Sequence, residues 1–76
     1  MNRVLKFIYN NQINMLSYKR KEKIYIIFSK YKYKEKVIIP ISMMDNNDYI
    51  VNTCMDYLNE LMLNYDNNKR KKVIKK

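Results

Sequence analysis

The groups in this chain that could take part in chemistry are few: one thiol, two pairs of carboxylates, and a dense run of lysines and tyrosines. Cys54 is the thiol. A nucleophilic cysteine needs a base or a cationic neighbour that lowers its pKa, and the chain has no histidine to serve. At helical spacing Cys54 falls on an apolar face, which gives it a packing role. Asp45 with Asp48, and Asp56 with Glu60, are the carboxylate pairs. The second pair is spaced i, i+4 and shares one helix face. Two carboxylates alone make a weak divalent-ion site, so helix capping and solvated roles are expected. The reading is therefore of no catalytic residue, no metal site and no cofactor.

The absences extend that exclusion. The 76 residues contain no Gly, no Ala, no His and no Trp, with one Pro and one Cys. Without glycine there is no phosphate-cradling loop, dinucleotide fingerprint or nucleophile elbow. Without histidine there is no imidazole acid/base couple and no His-bearing zinc site. A single cysteine allows neither an internal disulfide nor a cysteine cage, and a lone thiol on an apolar face fits a reducing, cytoplasmic compartment. A binding protein with no small-molecule substrate, rather than an enzyme, is the expectation.

The lysine–tyrosine run carries the functional signal. Formal net charge is +9, from 16 Lys and Arg against 7 Asp and Glu. Part of this has a compositional cause. Lys, Asn, Ile and Tyr, all with A/T-rich codons, are abundant, while Gly, Ala and Pro are absent or rare, as in an A/T-rich genome. Such drift would scatter lysine, and here it is segregated. Residues 19–36 hold eight bases against Glu22 and Glu35, residues 37–68 hold five acids and no base, and residues 69–76 hold six bases.

A strand and turn surface rich in lysine, interleaved with tyrosine, suits a nucleic-acid backbone. Ammonium groups neutralise phosphates and release counterions, while tyrosine rings stack on unpaired bases or pack beneath lysine stems. The candidate binding residues are Lys19, Arg20, Lys21, Lys23, Lys30, Tyr31, Lys32, Tyr33, Lys34 and Lys36, with Lys69, Arg70, Lys71 and Lys72 as a second clamp. Lysine outnumbers arginine 13 to 3. A point charge without the guanidinium fork favours phosphate contact over base-edge reading, so the expected partner is structured RNA, such as ribosomal RNA, or a ribonucleoprotein. The competing accounts are that Tyr31 and Tyr33 pack inward beneath a solvated lysine face, and that the tail only solubilises.

Two other classes remain open. A small inhibitor encoded by a virus or mobile element, of the anti-CRISPR kind, could dock on a host nucleic-acid-processing protein complex. The basic tail also resembles a polybasic patch for anionic lipid, although no basic amphipathic helix accompanies it. No apolar run approaches the ~20 residues of a transmembrane helix. The apolar stretch of residues 3–9 is too short for a signal peptide and is broken by Lys6, so it reads as mature protein.

These groups must be positioned by a small α+β fold. Residues 3–9 and 13–18 are apolar-rich runs split by Asn10-Asn11-Gln12. Read as a hairpin, Asn10-Asn11 is the turn, and Leu5, Phe7 and Tyr9 share a face. Read as one helix, Val4, Ile8, Met15 and Leu16 share a stripe. Asn and Gln make a poor helix centre, which favours strands. Residues 23–33 are β-branched and aromatic, then alternate strictly, with Tyr31 and Tyr33 on one face and Lys30, Lys32 and Lys34 on the other. A turn near Glu35 leads to a strand over 36–42, at an edge or ending at Pro40.

From Asp45 the period changes. Ile50, Cys54, Tyr57, Leu58, Leu61 and Tyr65, with Val51 and Met62 beside them, recur at three- and four-residue steps and predict an amphipathic helix over 47–65. Asn46, Asn47 and Asp48 offer caps, and Asp66-Asn67-Asn68 an end. The outer stripe of Met55, Asp56, Asn59, Met62 and Leu63 could alternatively dock a protein. The expected organisation is an antiparallel sheet of three to four strands covered by one helix within a single domain over 1–66, then a basic, flexible tail over 67–76.

Overall fold

The computed structural model describes residues 2–74, with side chains over 2–67. Helix α1 (Asn2–Asn10) precedes three strands, β1 (Asn14–Arg20), β2 (Lys23–Lys30) and β3 (Tyr33–Pro40). A short 3-10 turn over Ile41–Met43 leads into the long helix α2 (Asn47–Ile74). The strands form one antiparallel sheet in the order β1-β2-β3. The architecture is the expected α+β domain with a C-terminal helix on a small sheet, and it has two helices.

Residues 3–9 are helix, not strand. Val4, Phe7 and Ile8 follow the i, i+3, i+4 pattern that turns one helical face inward, and Val4 is fully buried with the other two packed against the core. The Asn-rich stretch ends this helix instead of turning a hairpin. Ile13 N–H donates to Ile8 O at 3.0 Å and Gln12 N–H to Tyr9 O at 3.3 Å, with Gln12 at φ 53°. That pair of bonds is a Schellman cap, with glutamine in the left-handed position glycine usually takes. Asn11 Nδ2 adds a bond to Phe7 O at 2.9 Å. Asparagine, poor inside a helix, is well suited to finishing one.

The second correction concerns the alternating run. It does not continue through residue 33: the chain reverses at Tyr31-Lys32, and Glu35 lies within β3. Both hairpins have two-residue loops, Lys21-Glu22 and Tyr31-Lys32, with Lys21 and Tyr31 each at φ 58°. A positive φ at the first loop residue alone is the type II′ pattern, whose twist matches that of the flanking strands. Lacking glycine, the chain places non-glycine residues in this conformation. β3 ends at Pro40, and Ile41 N–H donates to Glu22 O at 3.0 Å, tying the first hairpin to the 3-10 turn.

Both helices pack on one face of the sheet. Ile26 and Phe28 of β2 and Val37 and Ile39 of β3 meet Val51, Cys54, Leu58 and Leu61 of α2, with Val4 and Ile13 closing the same core. The α2 seam runs 51, 54, 58, 61, a regular 3-4-3 stepping, so Ile50 sits beside it half-buried and Tyr57 lies exposed. Met55 and Met62 pack partly against the core, leaving Asp56, Asn59 and Leu63 of the outer stripe in solvent. Asn46 caps α2 as anticipated, its Oδ1 accepting from Tyr49 N–H at 3.0 Å. The helix does not stop at Tyr65. It runs to Ile74, since Lys and Arg are good helix formers that outweigh two asparagines. The side chains of the basic segment, and its flexibility, lie outside what the structure describes.

Candidate nucleic-acid interface

The sheet face away from the helices is uncovered among the described residues, and the strand register determines what it displays. Cross-strand partners point to the same side. One open-face row is therefore Asn14–Ser29–Lys34, the next Leu16–Ile27–Lys36, the next Tyr18–Tyr25–Ile38, and the last Arg20–Lys23–Pro40. An apolar and aromatic centre is thus bracketed by four cations. Leu16 is 61% exposed, Tyr18 43% and Ile38 44%, a contiguous apolar surface that folding leaves in water.

Tyr18 and Tyr25 stack across the strands, with ring centroids 5.1 Å apart and planes 8° from parallel. Lys36 Nζ stands 5.7 Å from the centre of the Tyr25 ring, within cation–π range. No carboxylate lies in these four rows: Glu35 pairs with Phe28 and so points to the helix side, and Glu22 is in a turn. Asp45, Asp48, Asp56, Glu60 and Asp66 are all exposed on the helix layer or the segment leading into it. The open sheet face is therefore basic without an acid among its rows, while the helix layer carries acids and bases together, Arg3 and Lys6 of α1 among them.

The structure divides the candidate residues of the sequence into groups. Arg20, Lys23, Lys34 and Lys36 come together on the open face. Lys21 lies in the turn beyond the Arg20 end, where Arg20, Lys21, Glu22, Lys23 and Tyr25 line a shallow depression. Tyr31, 77% exposed, and Lys32 form the turn at the opposite end. Lys19 pairs with Ile24 and so points to the helix side of the sheet.

Lys30 and Tyr33 are cross-strand partners and belong to the helix side, whereas strict alternation had put them on opposite faces. Lys30 Nζ donates to Asn11 O at 2.6 Å and lies 4.9 Å from the centre of the Tyr65 ring. An ammonium at the carbonyl end of α1 complements the helix dipole, so Lys30 joins α1, β2 and α2. Tyr33 packs edge-on against Tyr65, at 6.3 Å and 88°, and Lys32 Nζ is 5.6 Å from the Tyr33 ring centre. The inward packing weighed for Tyr33 is what the structure has; Tyr31 points elsewhere. Lys69, Arg70, Lys71 and Lys72 are on the last turns of α2, their side chains outside the described residues.

The residues that sequence reasoning missed are Tyr18, Tyr25, Leu16, Ile27 and Ile38. Folding the chain about Lys21-Glu22 sets Tyr18 opposite Tyr25, and folding it about Tyr31-Lys32 sets Tyr25 opposite Ile38. Placing both turns in the sequence would have found the row.

Cys54 is fully buried in the core, and that burial pushes its thiol pKa up, opposite to the shift an activated nucleophile needs. Among the described residues no cluster of three or more metal-ligating side chains occurs, and no helix is long and apolar enough to cross a membrane. Compared with known protein families, with characterised proteins and with solved structures, the chain gives no significant match.

Proposed function

We propose that this chain is a non-catalytic RNA-binding protein whose open sheet face takes unpaired nucleotides. The observation that carries the reading is the row Tyr18–Tyr25–Ile38 flanked by Arg20, Lys23, Lys34 and Lys36 with no carboxylate among them. Stacked aromatic rings offer a platform that accepts any base. Lysines in neighbouring rows stand where a bound strand's phosphates would run. This shifts the expected target from paired, structured RNA toward loops and single strands. Duplex RNA hides the base faces that tyrosine stacking requires. A ribosomal or other ribonucleoprotein setting, where such loops abound, fits the size and charge.

The mechanism is equilibrium binding. Each lysine that meets a phosphate displaces condensed counterions, so four open-face cations correspond to a slope of about −3 in log affinity against log salt on a single strand. Cations on the α2 end add to that slope. Base stacking on the exposed Tyr18 is worth ~1–3 kcal/mol.

Fluorescence anisotropy with a labelled uridine-rich single strand and a matched duplex, across a salt series, tests the reading. The single strand should bind more tightly. Lys34→Gln with Lys36→Gln should flatten the salt slope by roughly 1.4, and Tyr18→Ala should weaken binding about 5- to 150-fold. An affinity indifferent to salt, or a Tyr18→Ala protein that binds like the parent, refutes it.

A further inference from the structure

We infer that the outer edge of β1 pairs with β1 of a second copy, joining two sheets into one of six strands. β1 is an edge strand, and all seven of its residues, Asn14 to Arg20, are exposed. Among the described residues no backbone hydrogen bond from any element other than β2 reaches it. Edge strands in soluble proteins are commonly blunted by charge, proline or a bulge. Here the five residues Asn14-Met15-Leu16-Ser17-Tyr18 carry no charge and no proline, and the ladder to β2 runs through all seven positions unbroken.

The hairpin geometry indicates which groups face outward. A two-residue loop makes Arg20 and Lys23 a hydrogen-bonded pair, and in an antiparallel ladder such pairs alternate with non-bonded ones. Arg20, Tyr18, Leu16 and Asn14 therefore spend their backbone groups on β2. Met15, Ser17 and Lys19 turn N–H and C=O to the free edge.

Antiparallel self-pairing about a two-fold axis at Ser17 uses the whole strand. It sets Ser17 opposite Ser17 of the second copy, Met15 opposite Lys19, Leu16 opposite Tyr18, and Asn14 opposite Arg20. The outward groups then fall at the hydrogen-bonded positions, giving about six inter-chain bonds. Every cation meets a neutral residue, so no like charges are opposed, which is the arrangement that costs sheet pairs most. Leu16 and Tyr18, the most exposed apolar side chains of β1, meet at the non-hydrogen-bonded positions, where side chains approach most closely. The occupant is a second copy of this chain because the strand is complementary to itself in charge and in hydrogen-bonding phase at one register.

The interface is tested without nucleic acid, so its outcome is separate from that of the RNA reading. Sedimentation equilibrium of the full chain from about 10 μM to about 1 mM should show the mass rising from 9.4 kDa toward twice that value. Association should strengthen from about 0.05 to 0.5 M salt as the repulsion of two basic chains is screened, the opposite of the trend for RNA. Ser17→Lys sets like charges against each other on the axis, and Ser17→Pro removes an outward N–H that the monomer does not use. Each should raise the dimer dissociation constant at least tenfold. In the unmutated protein, amide exchange at Met15, Ser17 and Lys19 should slow as concentration rises, a readout independent of whether the variants fold. A mass of 9.4 kDa throughout, a dimer unaffected by Ser17→Lys, or exchange at these amides independent of concentration overturns the inference.

Discussion

Replacing Lys30 by methionine separates cations that hold the fold from cations free to bind. The substitution keeps the aliphatic stem and removes the ammonium. What is lost is the 2.6 Å bond to Asn11 O at the carbonyl end of α1 and the contact 4.9 Å from the Tyr65 ring centre. A hydrogen bond to a charged group is worth about 1.5–3 kcal/mol when well buried. Lys30 is half-buried, so screening brings this to about 1 kcal/mol. A partly exposed cation–π contact adds about 0.5 kcal/mol. The dipole interaction at the helix end is the same contact counted another way and is not added. The expected loss is about 1.5 kcal/mol. A chain of 76 residues has roughly 4–11 kcal/mol of stability in all. Urea denaturation followed by far-ultraviolet circular dichroism reads the change as a shift of midpoint at constant m-value. Lys34→Met, on the open face, should fall within about 0.5 kcal/mol of the parent while weakening RNA binding, and Lys30→Met should do the reverse. Equal stability losses for the two variants, or a Lys30→Met protein within about 0.3 kcal/mol of the parent, would refute the division of the lysines made here.

Three further outcomes follow from the packing. Gln12→Gly should raise stability by about 0.5 kcal/mol: it relieves a left-handed residue of roughly 1–2 kcal/mol of strain and returns part as unfolded-state entropy, and a destabilised protein would show that the α1 cap is not of this form. Leu58→Ala, in the fully buried α2 seam, should cost about 2–5 kcal/mol, read as a lowered calorimetric Tm; a loss below about 1 kcal/mol would mean that the helix does not pack there. Cys54 provides a pH test. Its folded pKa is raised by burial, so the unfolded thiol ionises first. The contribution is fully present below the ordinary thiol pKa of about 8.5 and is lost as pH rises above it. Stability should therefore decline on the alkaline side, less so in Cys54→Val, and Cys54 should react with a thiol reagent only after denaturation; prompt labelling of the native protein would count against its burial.

How much could be read in advance depends on how local each signal is. The helix from Asn47 was legible because its apolar positions repeat over many turns and Asn46 is a strong cap. The hydrophobic runs of β2 and β3 were legible from their concentration of β-branched and aromatic residues. The first ten residues were not: Val4, Phe7 and Ile8 fit a helix, Leu5, Phe7 and Tyr9 fit a strand, and a nine-residue segment has too few turns to decide. The Asn10-Asn11-Gln12 cluster signals a change of direction, and only its hydrogen bonds tell a helix cap from a hairpin turn. The Tyr31–Lys32 reversal was hidden by the lysine–tyrosine alternation itself, since a type II′ turn without glycine leaves no compositional mark.

Composition alone excluded glycine-dependent phosphate loops and histidine chemistry within these 76 residues, because an absent residue type cannot be supplied by folding, and one cysteine excluded an internal disulfide. The position of charge along the chain likewise divided the basic segments 19–36 and 69–76 from the lysine-free stretch 37–68. What only the tertiary structure decided is which cations are available. Lys30, Lys32, Lys34 and Lys36 look equivalent in sequence, yet Lys30 caps α1 and Lys32 lies in a turn, while Lys34 and Lys36 join Arg20, Lys23 and a stacked tyrosine pair on the open face. The physical reason is that the side of the sheet a residue faces depends on pairing register. A register is a relation between distant segments, and no single stretch of this chain contains it.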